Sequence, residues 1–252
     1  MTTHLKGLIV GVANEHSIAW GCAKVLSEAG AELAITYQNE QTKHYVQPLV
    51  NRLPCPIFMP LDVTDDSQLE ALFQRIKTNW GTLDFMIHAI AFAPKADLQG
   101  RVVDCSRDGF GIAMDISCHS FIRLVKAAEP LMTHGGSIIT MSYYGADKVV
   151  KNYNLMGPVK AALETTVRYL AMELGSKQIR VNAISPGPIN TRAASGLADF
   201  DNLMEKAAQE APLHQLVTID AIGEATAFLV SNQSRAITGQ IIYVDGGYNI
   251  KD

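Results

Sequence analysis

Short apolar runs alternate with amphipathic stretches along nearly the whole chain. The apolar runs predict strands at 8–11, 33–37, 57–63, 85–88, 137–141, 180–184 and 240–245. Helical spacing of apolar residues predicts helices over 17–29, 66–80, 110–132, about 154–174 and 219–231. Parallel strands need helical crossovers, which cover both faces of a sheet. The pattern therefore predicts an α/β, Rossmann-type doubly wound fold: a seven-stranded parallel sheet with helices on both faces.

The alternation continues without a composition break, an internal repeat or a linker. We therefore expect residues 1–252 to form a single domain. One stretch interrupts the regular pattern, because residues 193–211 are rich in small side chains and then mildly helical. This suits a mobile cover over a pocket, so we predict a substrate-binding insertion at about 191–211.

Composition narrows the class of protein. With 48% hydrophobic residues, 18% charged residues and a net charge of -4, the chain shows no basic footprint for nucleic acid or an anionic membrane surface. No apolar run approaches the ~20 residues that span a bilayer. The four cysteines are scattered, the first residues lack a signal-peptide layout, and the histidines never show metal-site spacing. We expect a cytoplasmic protein without a bound metal.

The candidate chemistry lies between residues 141 and 163. Tyr143 ends an apolar strand, and Tyr153 and Lys160 follow, seven positions apart. On a helix that spacing puts both on one face. A nearby ammonium favours the phenolate and lowers a tyrosine pKa, so the pair is a plausible proton donor to a developing oxyanion. With 8 tyrosines and 21 basic residues in the chain, such a pair is also expected by chance.

Pro158 limits where the helix around Lys160 can begin. Proline is tolerated only in the first turn of a helix, so we expect the helix to start close to Asn154. Tyr153 would then lie at the mouth of the helix rather than within it.

A strand, a loop and a helix N-terminus follow each other at residues 8–29. Gly11 ends the strand and Ser17 is a reasonable N-cap, an arrangement that cradles a pyrophosphate. The usual G-x-G-x-x-G is absent, and a plain strand-to-helix turn is an equally good interpretation.

Two polar positions bear on the adenosine end of such a site. Gln38 ends the second strand, where a NAD-binding unit often has an acid, and the nearest cation for a 2′-phosphate is Lys43. A neutral amide favours NADH. Asp62 could meet the adenine amino group or cap the next helix. Small residues at 89–93 would let a ligand approach the backbone closely, or could simply form a turn.

Longer motifs bring in a family resemblance. The opening strand-loop-helix, the segment NAISPG at 182–187 and VDGG at 244–247 resemble the short-chain dehydrogenase/reductase superfamily over nearly the whole chain. The usual Tyr-x-x-x-Lys is absent, because Met156 stands where it would place the tyrosine. The spacing of Tyr143, Tyr153 and Lys160 instead resembles the divergent branch, the NADH-dependent enoyl-[acyl-carrier-protein] reductases of bacterial type II fatty-acid synthesis. Segments 36–39, 88–94, 152–157 and 188–191 strengthen this likeness.

The resemblance implies a function and a set of roles. Tyr153 would bond the thioester carbonyl of a trans-2-enoyl-[acyl-carrier-protein] substrate, Lys160 the nicotinamide ribose, and Tyr143 would line the pocket. The cofactor, NADH, would lie against Gly11, Ser17, Ile18, Gln38, Asp62, Val63, Ala89, Ile90, Ile189 and Thr191. The substrate would contact Phe92, Ala93, Tyr143, Tyr153, Met156 and Ala194, with 193–204 as the substrate-binding loop. The family is typically homotetrameric.

Departures from the family pattern leave alternatives open. Ala89 stands where the family usually has serine, and Pro158 replaces a helix former. A reductase acting on another enoyl or keto substrate, or a non-catalytic NAD(H) sensor, would share the fold. A keto reductase should show Tyr-x-x-x-Lys, and retention of both Tyr153 and Lys160 argues against a sensor.

Overall fold

All seven apolar runs form strands of one parallel sheet. The computed structural model describes residues 4–191 and 199–251, apart from the side chain of residue 201. The strands are β1 (Lys6–Val10), β2 (Glu32–Tyr37), β3 (Ile57–Pro60), β4 (Phe85–His88), β5 (Gly136–Met141), β6 (Ile179–Pro186) and β7 (Ile241–Val244). Their order in the sheet is β3-β2-β1-β4-β5-β6-β7. The predicted Rossmann-type fold is confirmed, and the order reverses direction between β1 and β4.

Helices cover both faces of this sheet. They are α1 (Ile18–Glu28), α2 (Glu40–Val50), α3 (Asp66–Trp80), α4 (Lys95–Leu98), α5 (Arg107–Met114), α6 (Ser120–Ala128), α7 (Met156–Leu174), α8 (Phe200–Glu210) and α9 (Ile219–Val230). One buried cluster joins α3, α6 and α7 to the sheet, and a second joins α1, α2 and α9 to the opposite face. The strands are thus buried on both sides, which explains their nearly continuous apolar sequences.

The single helix predicted over 110–132 is in fact composite. It begins as α5 at Arg107, widens into a π-helical stretch, Asp115–His119, and resumes as α6. A 3-10 turn, Glu129–Leu131, ends it. Apolar periodicity does not distinguish a π-helical turn from an α-helical one, so the sequence pattern concealed this change. Such turns are frequent at functional sites.

Two further local differences have simple causes. The stretch 97–108, predicted as a polar connection, begins within α4 and contains a 3-10 turn, Val102–Asp104. The Asp97 carboxylate accepts a 2.7 Å hydrogen bond from the Ser106 amide, which joins the two ends of this connection. Helix α2 was not predicted; Asn39 caps it by accepting a bond from the Thr42 amide.

Two glycines allow α1 and α9 to touch backbone to backbone. A Cβ added at Gly21 would lie 2.3 Å from the Ile219 carbonyl oxygen, and one at Gly223 would lie 2.6 Å from the Gly21 carbonyl oxygen. Neither distance is compatible with a real side chain. The contact holds α1, which starts near the carboxyl ends of the central strands, against α9.

Gly223→Ala should therefore destabilise the protein. We expect the free energy of unfolding to fall by about 1–3 kcal/mol, because the added methyl group meets rigid backbone. Gly111→Ala is the matched control: it changes a glycine in α5 that has open space around its Cβ position, and it should be neutral or stabilising by up to ~1 kcal/mol. Thermal unfolding of both variants measures the difference. Equal stability of the two variants would contradict the α1–α9 contact.

Candidate active site

The candidate site lies where the carboxyl ends of the central strands meet. Gly11 follows β1, Ala89 follows β4, Tyr143 follows β5 and Gly187 follows β6. In open parallel sheets ligands bind at this edge, near the point where the strand order reverses. The topology therefore brings together residues that are far apart in the sequence.

Gly11 lets two strand ends approach each other. Its φ of 110° lies in the region that favours glycine, and an added Cβ would lie 2.2 Å from the Ala89 carbonyl oxygen. No larger residue fits there without moving the exit of β4. The glycine that the sequence singled out is thus required by the backbone itself.

Ser17 organises the loop that leads into α1. Its position as N-cap is as predicted, but its side chain gives α1 no capping bond. The Ser17 hydroxyl instead accepts 3.0 Å bonds from the amides of Ala13 and Asn14. It therefore fixes the loop, and no side chain in the described part of the chain caps the first turn of α1. This arrangement, with Ile18 half-buried beside it, fits a pyrophosphate.

Asp62 does not cap α3, so this alternative from the sequence is wrong. The cap is Asp65, whose carboxylate accepts bonds from the amides of Ser67 and Gln68. Asp62 Oδ1 instead accepts from the amide and hydroxyl of Thr64, at 2.9 and 2.7 Å. These bonds fix the loop after β3, next to the buried Val63.

At the end of β2, Gln38 is exposed, and the nearby Lys43 forms an ion pair. Lys43 Nζ lies 3.2 Å from a Glu40 carboxylate oxygen and 5.2 Å from the centroid of the Tyr37 ring. The Glu40 carboxylate raises the pKa of Lys43. Lys43 is therefore paired within its own helix, close to the end of β2.

Tyr143 and Tyr153 form the apolar centre of the site. Their ring centroids are 4.7 Å apart with the planes tilted by 56°. The neighbouring Tyr144 contacts Tyr248 instead, with centroids 5.7 Å apart. The structure thus brings Tyr143, and not Tyr144, to Tyr153. The Tyr143 hydroxyl is buried and has no hydrogen-bond partner among the described residues, so a bound molecule could complete it.

The pKa of Tyr153 moves in the opposite direction to the one predicted. Tyr153 is 8% exposed, and burial raises its pKa well above the ordinary value, with further increases from Tyr143 and Glu164. Desolvation disfavours the charged phenolate, and the neighbouring groups that act on Tyr153 raise its pKa further. The phenol therefore stays protonated across the physiological range and is a hydrogen-bond donor.

Lys160 lies inside α7, whereas Tyr153 precedes it. The helix starts at Met156, so the two residues do not share a helix face as their spacing suggested; Tyr153 lies at the helix mouth, as Pro158 indicated. Lys160 Nζ donates a 2.6 Å bond to the Met141 carbonyl oxygen. Burial lowers the Lys160 pKa to about 8, against smaller increases from Cys118 and Glu164.

His88 is a neutral residue of the core. The Ser120 hydroxyl donates to the Ile116 carbonyl, so it must accept from His88 Nε2, 3.0 Å away. His88 Nδ1 is then the acceptor from the Thr140 hydroxyl at 2.9 Å. Burial, with the charge of Lys160, lowers the His88 pKa to about 3. Its hydrogen bonds are complete, so it orders the ends of β4 and β5.

The sequence did not single out Ser117, which holds the segment after β4. This fully buried serine lies in the π-helical stretch. Its hydroxyl accepts from the Phe92 amide and donates to the Phe92 carbonyl, both at 2.9 Å. The resemblance already pointed to segment 88–94, but the π-helical turn that aims Ser117 at it has no sequence signature.

The predicted substrate residues separate into three groups. Ala93 and Met156 pack in one apolar cluster with Tyr143 and Tyr153, which the structure brings together. Phe92 is 50% exposed at the rim, and Ala194 lies outside the described residues.

The remaining cofactor candidates are at strand exits. Ala89 and Ile90 follow β4 and are half-buried. Ile189 and Thr191 follow β6 and are half-buried too. In the described part of the chain, no group of three or more histidine, cysteine or acidic side chains could hold a metal. No helix within residues 4–191 and 199–251 is both long and apolar enough to cross a membrane.

The fold, with the candidate residues gathered at the carboxyl ends of its strands, is that of the Rossmann-type reductases that use a dinucleotide cofactor. Residues 11–249 match the family model described as enoyl-(acyl carrier protein) reductase. The chain belongs to this family.

Two relatives align with nearly the whole chain. An NADH-dependent enoyl-[acyl-carrier-protein] reductase of Rickettsia felis is 48% identical over 99% of this chain and 98% of its own. One from Rhizobium meliloti is also 48% identical, over 97% and 90%.

Two crystal structures of enoyl-acyl carrier protein reductases superpose closely. The structure from Anaplasma phagocytophilum, in complex with NAD, has a TM-score of 0.95 and 47% identity over 100% of this chain and 96% of that one. The structure from Bacillus cereus, with NADP+ and an indole naphthyridinone, has a TM-score of 0.97 and 44% identity over 99% and 98%.

Ser117→Ala should loosen the segment after β4. The Phe92 amide and carbonyl both lose their partner, so we expect the Phe92 amide to exchange with solvent about tenfold faster or more. Hydrogen exchange of the peptide spanning 89–94 measures this. Ser176→Ala, at an exposed serine, is the control and should leave that exchange rate unchanged. Unchanged protection in Ser117→Ala would show that the segment is held by other contacts.

Proposed function

We propose that this protein reduces the 2,3 double bond of trans-2-enoyl-[acyl-carrier-protein] thioesters with NADH, as a step of type II fatty-acid synthesis. The observation that carries the proposal is the Tyr153 phenol. It is buried, it stays protonated, and it packs against Tyr143 in an apolar cluster; the buried Lys160 lies on α7, the helix that follows it. Family membership and the full-length relatives supply the reaction class.

The residues present fit a dinucleotide. The pyrophosphate would lie at the α1 N-terminus, against Gly11, Ser17 and Ile18, where the Ser17 hydroxyl leaves the first-turn amides without a side-chain acceptor. Adenosine would lie against Gln38, Asp62 and Val63. Ala89, Ile90, Ile189 and Thr191 would flank the path toward the nicotinamide. The buried, unpartnered Tyr143 hydroxyl supports a bound molecule at this end.

Chemistry at this site divides between the cofactor and the protein. Bound NADH supplies a hydride to the β-carbon of the enoyl group. Tyr153 donates a hydrogen bond to the thioester oxygen, where negative charge develops. A donor fixed before reaction stabilises that charge without reorganising, which typically contributes a few kcal/mol. The protonated state that burial imposes on Tyr153 is the state this role requires.

Lys160 and Tyr143 have supporting roles in this proposal. Lys160 presents a cation to the nicotinamide ribose, and its bond to the Met141 carbonyl fixes its direction. Tyr143 lines the substrate pocket and contacts the Tyr153 ring. Ala93 and Met156 supply apolar surface for the acyl chain, and Phe92 lies at the entrance. Ala194 and the loop at 193–204 would complete the substrate side.

Preference for NADH over NADPH rests on the β2 exit. Gln38 carries no charge for a 2′-phosphate, and the nearby Lys43 is paired with Glu40. The Bacillus cereus relative has been crystallised with NADP+, so the family scaffold admits either nucleotide. The local pairing of Lys43 is the feature that favours NADH in this chain.

We extend the proposal to a cytoplasmic homotetramer acting on a carrier-protein-bound substrate. Large apolar side chains on α5, α6 and α7 are exposed to solvent in the single chain, which suits burial against other copies. They are Phe110, Ile112, Ile122, Tyr169 and Met172.

Consumption of NADH by the purified protein tests the reaction directly. A trans-2-enoyl thioester should support saturable oxidation of NADH, with a much lower rate from NADPH. A 3-ketoacyl thioester is the parallel substrate. Turnover with the keto substrate alone would identify a keto reductase, and tight NADH binding without turnover of either would favour a sensor. Equal efficiency with the two cofactors would overturn the role given to Gln38.

Two substitutions should separate chemistry from cofactor binding. Tyr153→Phe removes the oxyanion donor and should lower kcat by about a hundredfold, with a smaller effect on NADH affinity. Lys160→Ala removes a charged hydrogen-bond donor and should weaken NADH binding by about tenfold or more. Tyr144→Phe, whose ring contacts Tyr248, is the control and should change neither. Unchanged cofactor affinity in Lys160→Ala would refute its assigned role.

A further inference from the structure

A ring made of two hydrogen bonds and the backbone between them joins the end of β5 to α7. Two consecutive residues at the β5 exit each bond one residue of the helix. The Met141 carbonyl accepts a 2.6 Å bond from Lys160 Nζ, and the Ser142 hydroxyl donates a 2.5 Å bond to Glu164 Oε1. Lys160 and Glu164 are one helical turn apart, so they lie on the same face of α7. The family resemblance and the mechanism above give Glu164 no role.

Both charged groups of this ring are buried. Lys160 is 4% exposed and Glu164 is 9% exposed. A buried ammonium that only meets a neutral carbonyl is costly to keep charged. Cys118 and Glu164 raise the Lys160 pKa against this cost; Glu164 is the carboxylate of the two, and the Ser142 hydroxyl fixes where it points.

We propose that Glu164 is a positioning residue of the active site: held by Ser142, its carboxylate keeps the Lys160 ammonium charged and directed along the β5 exit. The inference rests on the proposed role of Lys160 in binding the nicotinamide ribose. Tyr143 follows Ser142 directly, so the same ring fixes the strand end from which Tyr143 meets Tyr153.

Several neighbouring groups act on the pKa values of Glu164 and Lys160. Burial raises the Glu164 pKa, while the Ser142 bond and Arg168 lower it, Asp147 raises it and Lys160 lowers it. Groups that act on Lys160 from other elements are a thiol and a neutral imidazole. They are Cys118 in the π-helical stretch and His88 on β4. Burial raises the pKa values of Tyr153 and Tyr243, and the Glu164 charge raises both further.

The sign of the effect follows from the lysine. Burial lowers the Lys160 pKa to about 8, so its ammonium is lost as the pH rises through that value. Removing the Glu164 charge lowers this pKa further. NADH affinity that depends on the ammonium must then fall at a lower pH than in the wild type.

Glu164→Gln tests the charge alone, because its amide oxygen can still accept the Ser142 bond. The dissociation constant of NADH is measured by nicotinamide fluorescence from pH ~6 to ~10. We expect the pH at which NADH affinity is lost to fall by about one unit. At a pH above the Lys160 pKa of both proteins, this corresponds to a Kd about tenfold higher for the variant. Glu164→Asp keeps the charge and should show a smaller shift than Glu164→Gln.

The matched control is Glu173→Gln, which removes the same charge from an exposed position of α7 and should leave the profile unchanged. If Glu164→Gln does not fold, Ser142→Ala keeps the carboxylate but releases it, and should give a smaller shift in the same direction. Identical profiles for the wild type and a folded variant would overturn the proposal. So would an equal shift in Glu173→Gln.

Failure of the proposed function gives a different result. A wild type that binds NADH but does not reduce enoyl thioesters would overturn the reaction, while the binding profiles would still decide the role of Glu164. A wild type that binds no NADH would overturn both.

Discussion

The hydrogen bond from Lys160 to the Met141 carbonyl is the contact on which the rest of the site depends. It joins α7 to the end of β5, the strand that leads to Tyr143. Tyr153 lies three residues before the start of α7. The same bond therefore fixes the end of β5, which leads to Tyr143, against the helix that follows Tyr153. The 4.7 Å contact between the two rings follows from that arrangement.

Burial sets the protonation state of each group around this contact. It keeps Tyr153 protonated and His88 neutral, and it brings the Lys160 pKa close to neutrality. Desolvation always penalises the charged form, so a buried acid and a buried base shift in opposite directions. In the proposed mechanism, a phenol that donates and an ammonium that stays charged therefore make opposite demands on the same apolar surroundings. The phenol gains from burial, whereas the ammonium needs a nearby carboxylate.

Sequence reasoning reached the fold because apolar strands and their order leave few topologies for a chain of this kind. It also singled out Gly11, Ser17, Tyr153 and Lys160, since each belongs to a local pattern, and the roles given to them stay predictions. It could not reach the direction of the Tyr153 pKa, which depends on burial by residues distant in the chain. Asp62 and Asp65 are both acids near a helix start, and only the backbone geometry decides which one caps.

The π-helical stretch shows most clearly what periodicity cannot reveal. Its Ser117 and Cys118 are buried, as is Ser120, the residue that follows it, and each contacts a different partner: the Phe92 backbone, Thr166 and His88. A wider turn changes the directions in which neighbouring side chains point, and so allows one segment to meet several elements. The apolar residues on either side keep ordinary helical spacing, so the pattern alone favours an unbroken helix. The sequence pattern therefore did not predict this π-helical stretch, although it and the residue after it contact Phe92, Thr166 and His88.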